Sequence, residues 1–289
     1  MNNYTIDQFS QITGLNKILI RTWENRYGFI KPKRTSTNIR YYDNLMVAKG
    51  IKFSLLVENG FKISKIVDLS DIELSETIEK TLNISQDIDV KKNIYISKFI
   101  QSSIFFDQFL FEKTYESCIK DLGFEDFYKD VLIRTMNKVG ILWLNSKMNP
   151  ANEHFLSENV RIKLCNEIDK YKSNFNSKNK WILFLPEDEF HDIGLLYTYL
   201  LLKIKKHDVI YLGQNVPRES LLSIEKKDKN ILFFLVSNKP DNFYNKITKF
   251  LSKNFLNSKI YVVSNNAKEK NNSKNIVNIT DLKQFISKL

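Results

Sequence analysis

The stretch EDEFHDIG, from Glu187 to Gly194, contains His191, one of only three histidines in the 289-residue chain. A neutral imidazole is a good ligand for a borderline transition metal. A carboxylate that accepts a hydrogen bond from one ring nitrogen fixes the tautomer and leaves the other nitrogen to coordinate. Glu189 and Asp192 are both candidates for that role. The alternative is a polar loop histidine that binds nothing, and this stretch alone does not separate the two.

The elements on either side of His191 place it at one edge of a predicted sheet. From Lys180 onward there are five short apolar runs: WILFL, DVIYLG, ILFFLVS, IYVVS and IVNI. Helical segments separate most of these runs. Such alternation predicts a parallel sheet covered on both faces, here a flavodoxin-like α/β domain over residues 178–289. Ligands of these domains bind at the carboxyl ends of the strands, and His191 follows the first strand. Gly194 allows a ligand to approach the backbone closely.

Residues 73–177 show no strand pattern. Apolar residues recur there at helical spacing in three long segments: IYISKFIQSSIFFDQFLFEKTYE, FEDFYKDVLIRTMNKVGILWL and EHFLSENVRIKLCNEIDKY. This spacing predicts an all-α four-helix-bundle domain.

The first 40 residues carry a local excess of positive charge. The net charge of the whole chain is +11, and scattered lysines are typical of a solvated surface. Arginine is scarcer, and four of the seven arginines are Arg21, Arg26, Arg34 and Arg40. Between Lys17 and Arg40, seven basic residues accompany one acidic residue, Glu24. This excess indicates contact with a phosphate backbone. The alternative is a set of surface ion pairs, for which the segment offers few acidic partners.

The capping and apolar pattern of residues 4–27 predicts two short helices joined by a turn, which is a helix-turn-helix. The predicted caps and stops are Thr5, Gly14, Asn16 and Gly28. Ile18, Ile20 and Trp23 are predicted to form the apolar face of the second helix. Two strand-like pieces around a polar turn follow and predict a small β-wing. Residues 1–72 are therefore predicted to be a winged helix-turn-helix domain.

Composition excludes several classes of protein. No apolar run is long enough to cross a bilayer, and the N-terminus does not have the pattern of a signal peptide. Cys118 and Cys165 are not at metal-ligand spacing and indicate a reduced, cytoplasmic chain. No paired carboxylates, nucleophile motif or phosphate loop predicts an independent catalytic activity, so the chain is not expected to be an enzyme.

The basic segment resembles the MerR family of winged-helix regulators over about 65 residues, in the motifs R-x-W-E-x-R-Y-G, P-x-R-T and R-Y-Y. The resemblance implies a second helix in the major groove of duplex DNA, a wing on the backbone, and a homo-oligomer that reads two half-sites. The implied DNA-binding residues are Lys17, Arg21, Arg26, Tyr27, Arg34, Arg40 and Tyr41. The family usually has glycine in the wing turn where this chain has Asn38, and asparagine tolerates the positive φ required there.

The motif E-x-H-x-x-G at His191 resembles cobalamin-binding domains, in which this histidine is the lower axial ligand of cobalt. A second motif, W-x9-E-H, is formed by Trp143, Glu153 and His154 and resembles the cap of the MerR-type cobalamin photoreceptors, the CarA/CarH/LitR group. There these residues line the upper side of the corrin.

The third histidine, His207, lies in a polar turn and is predicted to be at the surface. The implied cofactor-binding residues are Trp143, Glu153, His154, Glu189, His191, Asp192, Gly194, Ser237 and Ser264, with His191 as the metal ligand.

Two positions depart from the pattern of that group. Leu144 stands where some members have a histidine, and a leucine cannot coordinate cobalt, so a bis-histidine photoproduct of that type is not expected. His154 is the alternative candidate for that second histidine. Ser264 and Asn265 stand where cobalamin domains usually carry a Gly-Gly pair beside the nucleotide tail. Ser237 is the serine expected at the end of the third strand.

The resemblance as a whole implies a cytoplasmic repressor that senses a cobalamin, with adenosylcobalamin as the expected form. The ligand is expected to favour a dimer or tetramer that binds operator DNA. Light is expected to cleave the cobalt–carbon bond and to release this oligomer from the DNA. Two alternatives remain open. One is a regulator that senses another chromophore, such as a tetrapyrrole, or a protein partner. The other is a corrinoid-carrier subunit of a methyltransferase, which has no need of a basic winged helix.

Overall fold

The computed structural model describes residues 3–144, 149–172, 180–224, 229–235, 241–264 and 274–279. The backbone alone is described at residues 140–144, 229–230, 232–235, 241–242 and 264. The chain divides into two compact units, residues 1–158 and 159–289. The division into three domains, with bounds after residues 72 and 177, stays a prediction.

The N-terminal unit begins with strand β1 (Tyr4–Thr5) and helices α1 (Ile6–Thr13) and α2 (Lys17–Tyr27). The predicted caps are confirmed: Thr5 and Gln8 form a capping box on α1, and the Asn16 side chain accepts a hydrogen bond from the backbone of Ile18. Gly14 and Gly28 end the two helices with φ values of 80° and 60°, which other residues adopt only at a cost.

The predicted apolar face of α2 is correct for two of its three residues. Ile20 and Trp23 are buried, with 0% and 6% exposure, but Ile18 is 74% exposed. At about 100° per residue, Ile18 lies roughly 200° around the helix from Ile20, so the two cannot share one face. The placement of Ile18 in the core was therefore wrong.

Strands β2 (Lys33–Arg34) and β3 (Arg40–Tyr42) form the predicted wing. They pair antiparallel, with Arg34 opposite Arg40, and β1 adds to the other edge of β3. The turn between them has Asn38 at φ 62°, the conformation expected of asparagine there.

The rest of the N-terminal unit is helical. Its helices are α3 (Asn44–Glu58), α4 (Ile63–Ile66), α5 (Asp71–Ile84), α6 (Ile88–Phe105), α7 (Gln108–Asp126) and α8 (Ile133–Leu144), with a π-helical segment at Phe127–Leu132. Helix α7 is kinked at Gly123, where φ is 78°. Helix α9 (Pro150–Asp169) follows, and the boundary between the two units falls inside it. Among the described residues from 73 to 172 there is no strand, as predicted.

The C-terminal unit is a five-stranded parallel sheet, as predicted. Its elements are β4 (Lys180–Pro186), α10 (Ile193–Ile204), β5 (Asp208–Val216), a 3-10 helix (Arg218–Ser223), β6 (Lys229–Leu235), α11 (Asp241–Asn254), β7 (Ile260–Ser264) and β8 (Ile276–Ile279). The strand order is β5-β4-β6-β7-β8, which is the flavodoxin-like arrangement.

The sheet is buried on both faces, which explains the continuous apolar runs of its strands. In β4, Ile182 and Phe184 face the cluster that contains Leu251 of α11, whereas Trp181 and Leu183 face the cluster on the α10 side. All parallel strands end at the same edge, so the segment after β4 lies at the carboxyl edge. Within the described ranges, no helix has both the length and the apolar composition needed to cross a membrane.

Candidate cofactor and nucleic-acid sites

The loop between β4 and α10 is tied to its own strand and to the end of β5. The backbone N–H of Glu189 donates to the carbonyl of Pro186 (3.0 Å), which closes a turn. The side-chain oxygen of Asn215 accepts from the backbone of Asp188 (2.9 Å), and the backbone of Asn215 donates to the carbonyl of Glu189 (3.2 Å). These contacts hold the residues just before His191 at the carboxyl edge of the sheet.

Glu189 is the carboxylate that holds the imidazole of His191. Its Oε1 atom accepts from His191 Nδ1 (2.6 Å) and from the backbone N–H groups of Phe190 (3.0 Å) and His191 (3.1 Å). Glu189 is 1% exposed, whereas the His191 side chain is 63% exposed. Because an ionised carboxylate only accepts, the neutral imidazole carries its proton on Nδ1, which leaves the lone pair on Nε2. Of the two candidate carboxylates, the structure places Glu189 at the ring.

Asp192 has a different partner. Its Oδ2 atom forms an ion pair with Nη1 of Arg161 from α9, and its side chain is only 5% exposed. Its Oδ1 atom is buried and has no hydrogen-bond partner among the described atoms. Burial raises the pKa of Tyr211 on β5, and the negative charge of Asp192 raises it further. Sequence reasoning missed Arg161, and the only available signal was that arginine is rare in this chain.

The second motif lies at the start of α9. Glu153 is half-buried and His154 is exposed in the first turns of this helix. The preceding Asn152 is buried, and its Nδ2 donates to the carbonyl of Ser103 (2.6 Å) while Ser103 Oγ donates to the carbonyl of Asn152 (2.7 Å). This reciprocal pair fastens the first turn of α9 to α6. Sequence reasoning also missed it, because neither residue belongs to a recognisable motif.

The other predicted cofactor residues are described only in part. Gly194 is half-buried in the first turn of α10, and its carbonyl accepts from the hydroxyl of Thr198 (2.8 Å). Trp143 lies in α8 and Ser264 ends β7, opposite Leu235, but both side chains lie outside the described part of the chain. Ser237 also lies outside it. The remaining histidine, His207, is half-buried rather than at the surface, with its ring 6.1 Å from that of Trp181.

The predicted DNA-binding residues lie on α2 and the wing. Lys17, Arg21, Arg26 and Arg34 are exposed, and Tyr27, Arg40 and Tyr41 are half-buried. Arg26 stacks on the ring of Tyr27, with 5.2 Å between the guanidinium carbon and the ring centroid. The structure thus brings the predicted residues together on one winged helix-turn-helix, within residues 17–41.

Some of these cations have acidic partners, so the ion-pair alternative is correct for part of the set. Glu24 accepts from Nε of Arg40 (2.8 Å) and lies 3.5 Å from the guanidinium of Arg34. Lys17 pairs with Asp7 at 2.6 Å, in a solvent-exposed position where such a pair contributes little. Among the described residues, Arg21 and Arg26 have no acidic partner. Sequence reasoning underestimated Glu24 because one carboxylate can hold two guanidinium groups.

Two known families match parts of this chain, and neither match includes the loop that contains His191. The family described as "MerR HTH family regulatory protein" matches residues 4–71. The family described as "B12 binding domain" matches residues 96–164, which cover α7, α8 and most of α6 and α9.

Similar proteins include two regulators from Myxococcus xanthus. The transcriptional repressor CarH is 27% identical, over 75% of this chain and 73% of CarH. The transcriptional repressor CarA is 22% identical, over 82% of this chain and 78% of CarA. Among solved structures, the monomethylamine corrinoid protein of Methanosarcina barkeri superposes with a TM-score of 0.52 at 13% identity, over 68% of this chain and 93% of that protein. At that identity the superposition concerns the fold alone.

Proposed function

We propose that this chain, which matches a MerR HTH family over residues 4–71 and a B12 binding domain over residues 96–164, is a transcriptional repressor controlled by a cobalamin, with adenosylcobalamin as the active form. The proposal is carried by one observation: buried Glu189 fixes the imidazole of His191 through Nδ1. The similarity of this chain to the repressors CarH and CarA is consistent with repression.

The residues around His191 fit a corrinoid. The imidazole of His191 would hold the cobalt of a corrinoid through Nε2. Glu189 fixes the tautomer that has its lone pair on Nε2, and a carboxylate partner makes an imidazole a more basic ligand. The buried Oδ1 atom of Asp192 can accept a hydrogen bond from an amide of the corrin periphery. Both features suit a bulky, amide-rich ligand at the carboxyl edge of the sheet.

The remaining cofactor contacts are proposed from the resemblance. Trp143, Glu153 and His154 all lie within the B12-binding match at residues 96–164 and are proposed to contact the upper side of the cofactor. An indole provides a large apolar surface for this purpose. Gly194, Ser237 and Ser264 are proposed to contact the lower side and the nucleotide tail.

The cofactor controls DNA binding by linkage: it shifts an assembly equilibrium only as far as it binds one state more tightly than the other. We propose that the cobalamin favours a homo-oligomer, a dimer or tetramer, in which two or more winged helices bind one operator. A regulator of this kind acts in the compartment that contains the DNA, which is the cytoplasm. An adenosyl form supplies a light-cleavable cobalt–carbon bond, and light is the proposed signal for release.

Cobalamin binding is tested by mixing the purified full-length protein with adenosylcobalamin in the dark, followed by gel filtration. The pigment is expected to elute with the wild-type protein and to be largely lost from His191→Ala. His207→Gln is the matched control, because it changes a histidine of the same unit outside the loop. Free elution of the pigment, or equal binding by His191→Ala, overturns the cobalamin proposal.

Light control is tested by repeating that gel filtration after illumination. A shift to a smaller species supports the proposal. An unchanged elution volume with bound pigment removes light as the signal and leaves cobalamin binding intact.

DNA binding is tested with duplexes that the wild-type protein selects from a random library. Arg21→Ala is expected to weaken binding to all selected duplexes. It is also expected to make the slope of log K against log [salt] shallower by about 1, which corresponds to one lost phosphate contact. Arg134→Ala, which changes an exposed arginine of α8, is the control and is expected to bind as the wild type does. If the library yields no bound duplex, the repressor proposal fails.

A further inference from the structure

Helix α2 presents an apolar patch, formed by Ile18 and Thr22, in the middle of its basic surface. Resting on the proposed DNA binding, we propose that this patch contacts the 5-methyl groups of thymines in the major groove, and that each operator half-site therefore has a thymine at a fixed position.

Ile18 is not required by the core of its own unit. Its exposure is 74%, whereas Ile20 and Trp23 of the same helix are buried and supply the packing of α2. When a partner covers a large exposed aliphatic side chain, apolar surface is removed from water and the free energy falls. The position of Ile18 is also specific, because it is the second residue of α2. In helix-turn-helix proteins, the N-terminal residues of the second helix are the ones that contact base edges.

Thr22 extends the patch by one turn. Residues four apart lie on the same side of a helix, so Thr22 is the neighbour of Ile18 along the surface. The hydroxyl of Thr22 donates to the carbonyl of Ile18 (2.9 Å). Its proton is therefore already used inside the helix, and the side chain offers its methyl group rather than a donor. Together the two side chains form an aliphatic strip about one helical turn long.

The surrounding charges identify the partner as nucleic acid. Arg21 lies between the two patch residues in sequence and is exposed, as is Arg26 farther along the helix, and the described residues include no acidic partner for either. Such cations attract the phosphate backbone and bring α2 into the groove. The only apolar group that the four bases expose in the major groove is the thymine methyl, so an aliphatic strip there is complementary to thymine.

The test uses duplexes selected from a random library by the full-length protein. Each thymine of a half-site is replaced in turn by deoxyuridine, which removes the 5-methyl group and keeps the base pairing. At one or two positions the wild-type affinity is expected to fall about 4-fold for each lost methyl contact. Ile18→Ala is expected to bind the thymine and deoxyuridine duplexes equally at the position that Ile18 contacts, and Ile18→Val to lie between.

Ile72→Ala is the matched control, because Ile72 is 72% exposed on α5 of the same unit. This variant is expected to retain the full discrimination between thymine and deoxyuridine. Since Ile18 and Ile72 are both exposed, neither variant should lower stability, which a thermal melt checks.

The outcomes separate this proposal from the proposed function. Duplex binding without any sensitivity to deoxyuridine overturns the thymine contact and leaves the repressor function standing. Full discrimination by Ile18→Ala at every sensitive position also overturns it. If Ile18→Ala changes the oligomeric state and not the methyl discrimination, the patch is a protein interface. If no duplex is selected at all, both proposals fail.

Discussion

Two glutamates, one in each unit, hold basic side chains in the same way but prepare them for different ligands. In the winged helix, the side chain of Glu24 is 14% exposed and holds Arg40, which is 25% exposed, and Arg34, which is 39% exposed. After β4, the side chain of Glu189 is 2% exposed and holds His191, which is 63% exposed. In both places a shielded carboxylate orients a more exposed cation or imidazole.

The difference lies in what each partner has left to offer. A guanidinium has five N–H donors, so Arg34 and Arg40 can bind Glu24 and still donate to a phosphate. An imidazole has two nitrogens, so binding Nδ1 to Glu189 determines the state of Nε2 in His191. The same arrangement therefore leaves hydrogen-bond donors in the winged helix and a metal-binding lone pair in the loop. The identity of the basic residue, rather than the carboxylate, decides the ligand.

The largest effect is expected from Glu189→Ala. This change removes the acceptor of Nδ1 and of two backbone N–H groups, so His191 loses both its tautomer and its orientation. Loss of such a partner typically weakens metal binding by 10–100-fold, and we expect about 100-fold weaker cobalamin binding in an absorbance titration. Glu189→Gln keeps an acceptor without the charge and is expected to lose about 10-fold. If Glu189→Ala binds cobalamin as the wild type does, Glu189 does not prepare His191.

The second largest effect is expected from Arg161→Met. This change leaves Asp192 buried without its cation, and loss of one partner of a buried ion pair costs about 3–5 kcal/mol. Since the Arg161 side chain is 26% exposed, we expect about 2 kcal/mol less stability in a urea titration. The double variant Arg161→Met with Asp192→Asn removes the unpaired charge and is expected to recover part of the loss. No recovery would show that Arg161 stabilises the unit by packing and not by pairing with Asp192.

A smaller effect is expected from Glu24→Gln. The neutral amide still accepts one hydrogen bond, but Arg34 and Arg40 lose their shared negative partner. Because these side chains are partly exposed, we expect the free energy of unfolding to fall by about 1 kcal/mol in a urea titration. Glu76→Gln, at an exposed glutamate on α5, is the control and is expected to change nothing. If Glu24→Gln and Glu76→Gln are equally stable, the ion pairs of Glu24 contribute nothing to stability. Glu24 then does not hold its cations in the way proposed for Glu189 and His191.

Local features of this fold could be predicted from the sequence. The caps at Thr5 and Asn16, the αL stop at Gly14 and the wing turn at Asn38 depend on a few neighbouring residues, and all four are present. The parallel sheet could also be predicted, because strands buried on both faces leave continuous apolar runs. The resemblance placed the functional motifs, and the structure decided that Glu189 rather than Asp192 binds the imidazole.

Contacts between single residues far apart in the chain could not be predicted. Arg161 and Asp192 are 31 positions apart, and Ser103 and Asn152 are 49 apart, so no periodic pattern connects either pair. The outward position of Ile18 was missed for another reason. Apolar character alone does not distinguish the two sides of a short helix, and the angle of about 200° between Ile18 and Ile20 places Ile18 on the opposite side.

The smallest effect concerns His207, which is not held by Glu24 or Glu189. Burial lowers the pKa of His207 from 6.5, and the positive charge of Lys205 lowers it further. The folded state therefore binds this proton less tightly than the unfolded state. The contribution to stability is complete above the unfolded pKa and is lost as the pH falls through the folded pKa. Unfolding measured between about pH 7.5 and 5.5 is expected to show stability that falls toward low pH, with a shallower fall in His207→Gln. An identical pH dependence in that variant would assign the titration to another group.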